Sequence, residues 1–224
     1  MGQYFDAVVI REYDNGDKKV SFYNAIDHYS GQKLMEFAYI GNVFADNVCR
    51  IAAMDRWWDE DSWKKDAKKL VGVRLAFIGD YAEMSDVEGL DDDAKKAVAK
   101  RIGRRSYKRE LLPAAYPLAD DYKYAYNEDK KEMVCLTEQE KDAWGYRINP
   151  LVLMLAVGNG RGGGDYEGTD MQLIGRWAFD HIKVEKDYKE GYKDMEPIFD
   201  EGGKYEIHHS YDPQDEDNDT PGEE

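Results

Sequence analysis

The 224-residue sequence predicts one α+β domain over residues 1–200, with a mostly antiparallel sheet and two or three helices, followed by a disordered acidic tail over residues 201–224. Three observations predict it. Stretches rich in β-formers are joined by short turn signals, as in Tyr4–Tyr23. Apolar runs of strand length stand at Val71–Ile78 and Leu151–Val157. Helix-start residues stand at Asn42 and Asp91–Asp93. With 42% hydrophobic residues, 17 Tyr and 5 Trp, the chain can build a core.

The first element is a hairpin over Tyr4–Tyr23. Its strands flank Asp14-Asn15-Gly16-Asp17, and Asn-Gly is the pair a type I′ turn prefers. His28 falls in a second turn, Asp27–Gly31, and reads as a hydrogen-bonded loop residue. Gln32–Ile40 is apolar with no decisive period. Asn42 caps a helix whose face is Phe44, Val48 and Ile51, ending near Met54. Trp57, Trp58 and Trp63 anchor a loop onto the core, and the basic Lys64–Lys69 turns into the next strand.

Val71–Ile78 reads as a central strand. The helix Ala94–Ile102 follows, with three aspartates at its start and Lys100, Arg101 and Arg104 at its end, which complements its dipole. Gly103 is its stop. The basic cluster Arg101, Arg104, Arg105, Lys108 and Arg109 reads as a solvated face. After Pro113 and Pro117, the alternating Tyr122, Tyr124 and Tyr126 pair with Met133–Leu136 as a second hairpin. Thr137-Glu138-Gln139-Glu140 begins like a capping box and predicts a short helix over Thr137–Trp144. Asn149-Pro150 ends that segment, and Leu151–Val157 enters as a strand. Met171–Glu185 reads as a long strand, broken at Gly175. Its Arg176-Trp-Ala-Phe179 echoes Arg74-Leu-Ala-Phe77, as two similar strands would.

The formal net charge is -16. Residues 196–224 carry -10 of it and the other 195 residues carry -6. Direct nucleic-acid binding needs a basic footprint and is disfavoured. Basic partner proteins are favoured. No apolar run reaches membrane-span length, and MGQYFDAVVI lacks the basic start of a secretory signal. Cys49 and Cys135 read as reduced thiols of a cytoplasmic protein, with a disulfide as the alternative. Asp215-x-Asp217-x-Asp219 lacks the glycine and final glutamate of a calcium loop.

The best candidate site is the loop that follows Leu151–Val157: Gly158, Asn159, Gly160, Arg161, Gly162, Gly163, Gly164 and Asp165. Five glycines in one loop carry a large entropic cost. Gly158-x-Gly160-x-x-Gly163 matches the dinucleotide fingerprint, but Asp165–Asp170 does not open the helix that the fingerprint requires. What remains is a nest of backbone N–H groups for an anion, with Arg161 as a bidentate partner, or else a mobile glycine hairpin loop with Arg161 in solvent. Asp80, Asp165 and Asp180 each follow a strand-like stretch. Gathered at one sheet end, they would hold Mg²⁺ or work as acid and base; otherwise they are strand-end solubilising residues. Beyond that Mg²⁺, no cofactor and no metal site is expected.

Met1-Gly-Gln-Tyr4, Lys33-Leu-Met-Glu36, Ile78-Gly-Asp-Tyr-Ala82, Asn149-Pro-Leu151, Gly158–Asp165 and Gly175-Arg-Trp-Ala-Phe-Asp180 resemble an uncharacterised family of phage and prophage proteins. Its members often start MGQYY and carry GNGRGGGD, W-A-x-D and GDYA elements. The resemblance runs to about residue 200 and implies a phage origin, hence host cytoplasm, without an assigned activity. Phe5 stands where many members have Tyr, and GDYA precedes the loop here, where the family leads one to expect it afterwards. Three functions are therefore expected as alternatives. The first is an accessory protein whose loop holds a small anionic, nucleotide-like or phosphorylated ligand, in counter-defence. The second is an acidic module that inhibits a host or defence protein. The third is a metal-dependent hydrolase using the three aspartates.

Overall fold

The computed structural model describes residues 2–53, 69–102, 112, 122–139, 141 and 145–200. Its first sheet is built around β1 (Phe5–Tyr13), which pairs antiparallel with β2 (Lys18–Asn24) on one side and β3 (Leu70–Gly79) on the other. A fourth strand, the two-residue Ala156–Val157, joins β3 in parallel. The second sheet has the antiparallel strands β4 (Tyr124–Asn127), β5 (Glu132–Cys135) and Ile182–Glu185, with Lys193–Asp194 added in parallel on β5. The fold is α+β with mostly antiparallel sheets.

β1 is apolar on both faces because both are covered. Phe5, Ala7 and Val9 enter one core; Val8 and Ile10 enter another. Successive strand side chains point to opposite faces, so a continuous apolar run marks a doubly covered strand. The smaller core is closed by Ala94, Ala97 and Val98 of the helix Asp92–Ile102. The larger core takes in the inner face of the second sheet, through Ala125, Val134, Ile182 and Val184. It also takes in three helices: Leu34–Phe37, Val43–Ile51 and Pro150–Met154. No helix among the described residues is long and apolar enough to cross a membrane.

Several expected elements stand. Asn42 caps Val43–Ile51, its Oδ1 accepting the Phe44 and Ala45 N–H groups at 3.0 and 3.1 Å. Asp91 does the same for Ala94 at 2.9 Å. Both hairpins form.

Others differ. The turn after β1 is not type I′, because only Gly16 has positive φ there (85°). The Gly16 N–H donates to Tyr13 O and the Tyr13 N–H to Asp17 O, giving a type I turn with a glycine bulge. Leu151–Val157 is not one strand. Asn149 Oδ1 accepts the Leu151 N–H, and Pro150 occupies the first helical turn, so Pro150–Met154 coils and only Ala156–Val157 is extended. An apolar run of this length does not distinguish a buried helix from a buried strand. The expected strand Met171–Glu185 is extended only over Ile182–Glu185. Positive φ at Asp170, Gly175 and Phe179 folds the rest into consecutive turns. Arg74–Phe77 therefore lies in a strand and Arg176–Phe179 in turns, so their shared pattern marks no repeat.

No helix starts at Thr137: Thr137 lies in a bend, and Lys141 bridges Arg147. Arg101 is not on a solvated face. It is buried against buried Asp6, an ion pair with Nε 2.6 Å from Oδ2, and its Nη2 donates to Tyr4 O. Met54, Trp57, Trp58, Trp63, Gly103, the other basic residues of that cluster, Pro113, Pro117 and the acidic tail lie outside the described residues.

Candidate functional site

The glycine loop lies beyond the C-terminal ends of β3 and its parallel partner, Ala156–Val157. Gly158 has φ 91°, and a Cβ there would lie 2.8 Å from Ala82 Cβ. A Cβ at Gly162 would lie 2.5 Å from Gln3 Cβ. These two glycines let the loop press against Gly79–Ala82 on one side and the amino-terminal segment on the other. Gln3 ties the layers together. Its N–H donates to Gly163 O at 3.1 Å and its Nε2 to Gly158 O at 2.8 Å. The Met35 N–H donates to Gly164 O at 3.0 Å. Gly175 and Trp177 donate to Leu153 O and Met154 O, just before the loop begins. Segments scattered over the whole sequence thus converge on one loop.

The nest forms, and the chain fills it. Asp165 Oδ2 accepts the N–H groups of Gly160, Arg161 and Gly162 at 2.7, 2.8 and 3.0 Å. Asn159 closes the loop by exchanging two side-chain hydrogen bonds with the Tyr166 backbone. An anion entering the nest would have to displace Asp165. Arg161 is bidentate as expected, but on Asp86: Nη1 to Oδ2 and Nη2 to Oδ1, each at 2.6 Å. Nη1 also donates to Tyr81 O at 2.9 Å. Hydrogen bonding to Asp86 raises the guanidinium pKa further, so Arg161 is always charged. Arg161 and Asp86 border a pocket of about 260 Å³ whose walls include Val157, Asn159, Met171 and Ile174.

The three aspartates have three separate attachments. Asp80 Oδ1 accepts the Tyr4 N–H at 3.0 Å. Asp165 sits inside the loop. Asp180 accepts from Asn127 at 2.7 Å and pairs with Lys130, beside the β4–β5 turn. No group of three or more His, Cys, Asp or Glu among the described residues is arranged to hold a metal. Cys49 and Cys135 are free thiols, and burial pushes Cys49 far above the usual thiol range. His28 ends the 3-10 turn Ala25–His28 and is packed: its ring stacks on Phe44 at 5.9 Å and burial lowers its pKa.

One surface escapes the sequence. Tyr29 is fully exposed and holds a left-handed backbone, φ 58°. Ser30 beside it donates to Asn42 Oδ1 at 3.2 Å, and Val43, next after Asn42, is also exposed. From Asn42 the chain leads back to Tyr39, whose ring packs on the exposed Tyr146 at 5.6 Å. A groove of about 550 Å³ is lined by Glu36, Tyr39, Ile40, Gly41, Asn42 and Tyr146. Beneath it, buried Asp46 accepts the Gly41 N–H at 3.0 Å, and burial pushes its carboxyl up to about 7. The Tyr39–Tyr146 contact spans 107 positions, so no local pattern announces it.

No protein-family model, curated protein or solved structure matches the chain.

Proposed function

We propose that the chain is a protein-interaction module that docks a basic partner in the groove lined by Tyr39, Ile40 and Tyr146. The observation that carries this reading is the groove lined by Tyr39, Ile40 and the exposed Tyr146. Exposed contiguous apolar surface marks interaction sites, and tyrosine is among the residues that dominate interface energies. Charge selects the partner. At -16, two copies repel each other, whereas a basic surface is drawn in. Glu36 places an acid in the lining of the groove, beside its aromatic residues. A phage-encoded chain of this kind would act by covering a basic surface of a host or defence protein.

Random-peptide display with the full chain as bait tests the reading. Peptides pairing an apolar anchor with Lys or Arg should be enriched, should bind more weakly as ionic strength rises, and should be lost on a Tyr39→Ala/Tyr146→Ala double variant. Enriched peptides that bind the double variant equally well, or that lack basic residues, would overturn it.

A further inference from the structure

We propose that the Arg161–Asp86 pair is an exchangeable latch on a small phosphomonoester site, in which a phosphate dianion replaces the Asp86 carboxylate on the Arg161 guanidinium. This site is independent of the docking face. Its recognition group is the Arg161 fork and not the backbone nest, which Asp165 occupies.

Four observations support the exchange. Arg161 already holds a carboxylate with two bonds of 2.6 Å, so the fork is oriented for a planar or tetrahedral oxyanion. The Arg161 side chain is 34% exposed and borders the 260 Å³ pocket, so a ligand can reach it from solvent. Asp86 belongs to the single 3-10 turn Met84–Val87, and its Oδ2 also accepts the Glu83 N–H at 2.7 Å. Released from Arg161, it would keep that partner and turn to water. Finally, Val157, Met171 and Ile174 give the pocket an apolar wall beside the charged pair.

The setting also fixes the ligand class. A monoanionic carboxylate offers Arg161 nothing that Asp86 does not already supply. A phosphate monoester brings about -1.5 to -2 charges at neutral pH and three acceptor oxygens, so it can win the exchange. The pocket volume is just below the usual range for small-molecule sites, about 300–1,000 Å³. It suits a phosphate with a compact apolar substituent and excludes a dinucleotide.

Isothermal titration of the full chain with phenyl phosphate, inorganic phosphate and phenylacetate tests the proposal. Phenyl phosphate should bind, and phenylacetate should bind at least about tenfold more weakly, because it lacks the second charge. Asp86→Asn removes the competing carboxylate and should tighten phenyl phosphate by about tenfold. Arg161→Ala should abolish binding, and Arg161→Lys, which keeps charge without the fork, should fall between it and the native chain. Inorganic phosphate equal to phenyl phosphate would assign the same dianion chemistry to free phosphate; a weaker response would assign it to an ester. Phenyl phosphate binding that Asp86→Asn leaves unchanged or weakens, or that Arg161→Ala retains with a native thermal melt, would overturn the latch. So would failure of Asp86→Asn to bind phenyl phosphate at all.

Discussion

His181 Nε2 lies 3.0 Å from Glu12 Oε2, joining residues 169 positions apart and tying the segment that enters the second sheet to the C-terminal end of β1 in the first. The other ring nitrogen, Nδ1, lies 3.0 Å from both oxygens of Asp129, in the turn between β4 and β5. A neutral imidazole has one N–H and can donate to only one carboxylate; the protonated ring donates to both. Burial opposes that charge, but the hydrogen bonds to Glu12 and Asp129 outweigh it, and the pKa is raised above 6.5.

The stability of the fold should therefore depend on this ring. A raised folded-state pKa means that the contribution is fully present below the unfolded value of about 6.5 and is lost as pH rises through the folded value. Thermal melts between pH 6 and pH 9 should show Tm falling more steeply for the native chain than for His181→Gln. Parallel pH profiles for the two chains would rule out the clamp.

Asp46 acts in the same direction at lower pH. Its carboxyl is pushed up to about 7 by burial, so the folded state holds a proton that the unfolded chain has released above about 3.8. Stability then declines as pH rises from about 4 towards 7. Asp46→Asn keeps an oxygen for the Gly41 N–H and removes the charge. It should stabilise the protein at pH 8 by about 2–4 kcal/mol in urea titration and have little effect at pH 4. Equal effects at both pH values would mean that Asp46 is ionised in the folded state throughout.

Local signals were legible in the sequence, and long-range ones were not. Asn42 and Asp91 announce their helices because capping depends on the next three residues alone. The hairpins follow from adjacent strands and a short turn. Leu151–Val157 misleads because burial from all sides erases the period that separates helix from strand. Arg101 misleads because a helix end is usually wet, and nothing near it in sequence reveals Asp6. At the loop, the residue types were legible: glycines forming a nest and an arginine able to fork. What fills them was not, since Asp86 is 75 positions from Arg161 and the Asp165 side chain turns back into its own loop.

The Arg101–Asp6 pair should be costly to break from one side. Both residues are buried, and Asp6 also accepts from Asn24. Arg101→Met leaves the Asp6 charge in a desolvated site and should cost about 3–5 kcal/mol in urea unfolding. Adding Asp6→Asn should recover part of that loss, because the remaining group is neutral and can still bond to Asn24. Additive losses in the double variant would mean that the two charges do not interact.

Asp165 provides the sharpest test of what the glycine loop is for. Its carboxylate collects three backbone N–H groups that have no other acceptor within the loop turn. If it organises the loop, Asp165→Ala should raise amide exchange at Gly160, Arg161 and Gly162 to rates near those of free peptide. Global stability should fall by about 2–3 kcal/mol, the usual worth of hydrogen bonds to a charged acceptor. Asp165→Asn, which keeps one acceptor oxygen but not the charge, should fall between the two chains. Amide protection unchanged in Asp165→Ala would show that the loop holds its shape through Gln3 and Asn159 instead, leaving the nest open to an external anion.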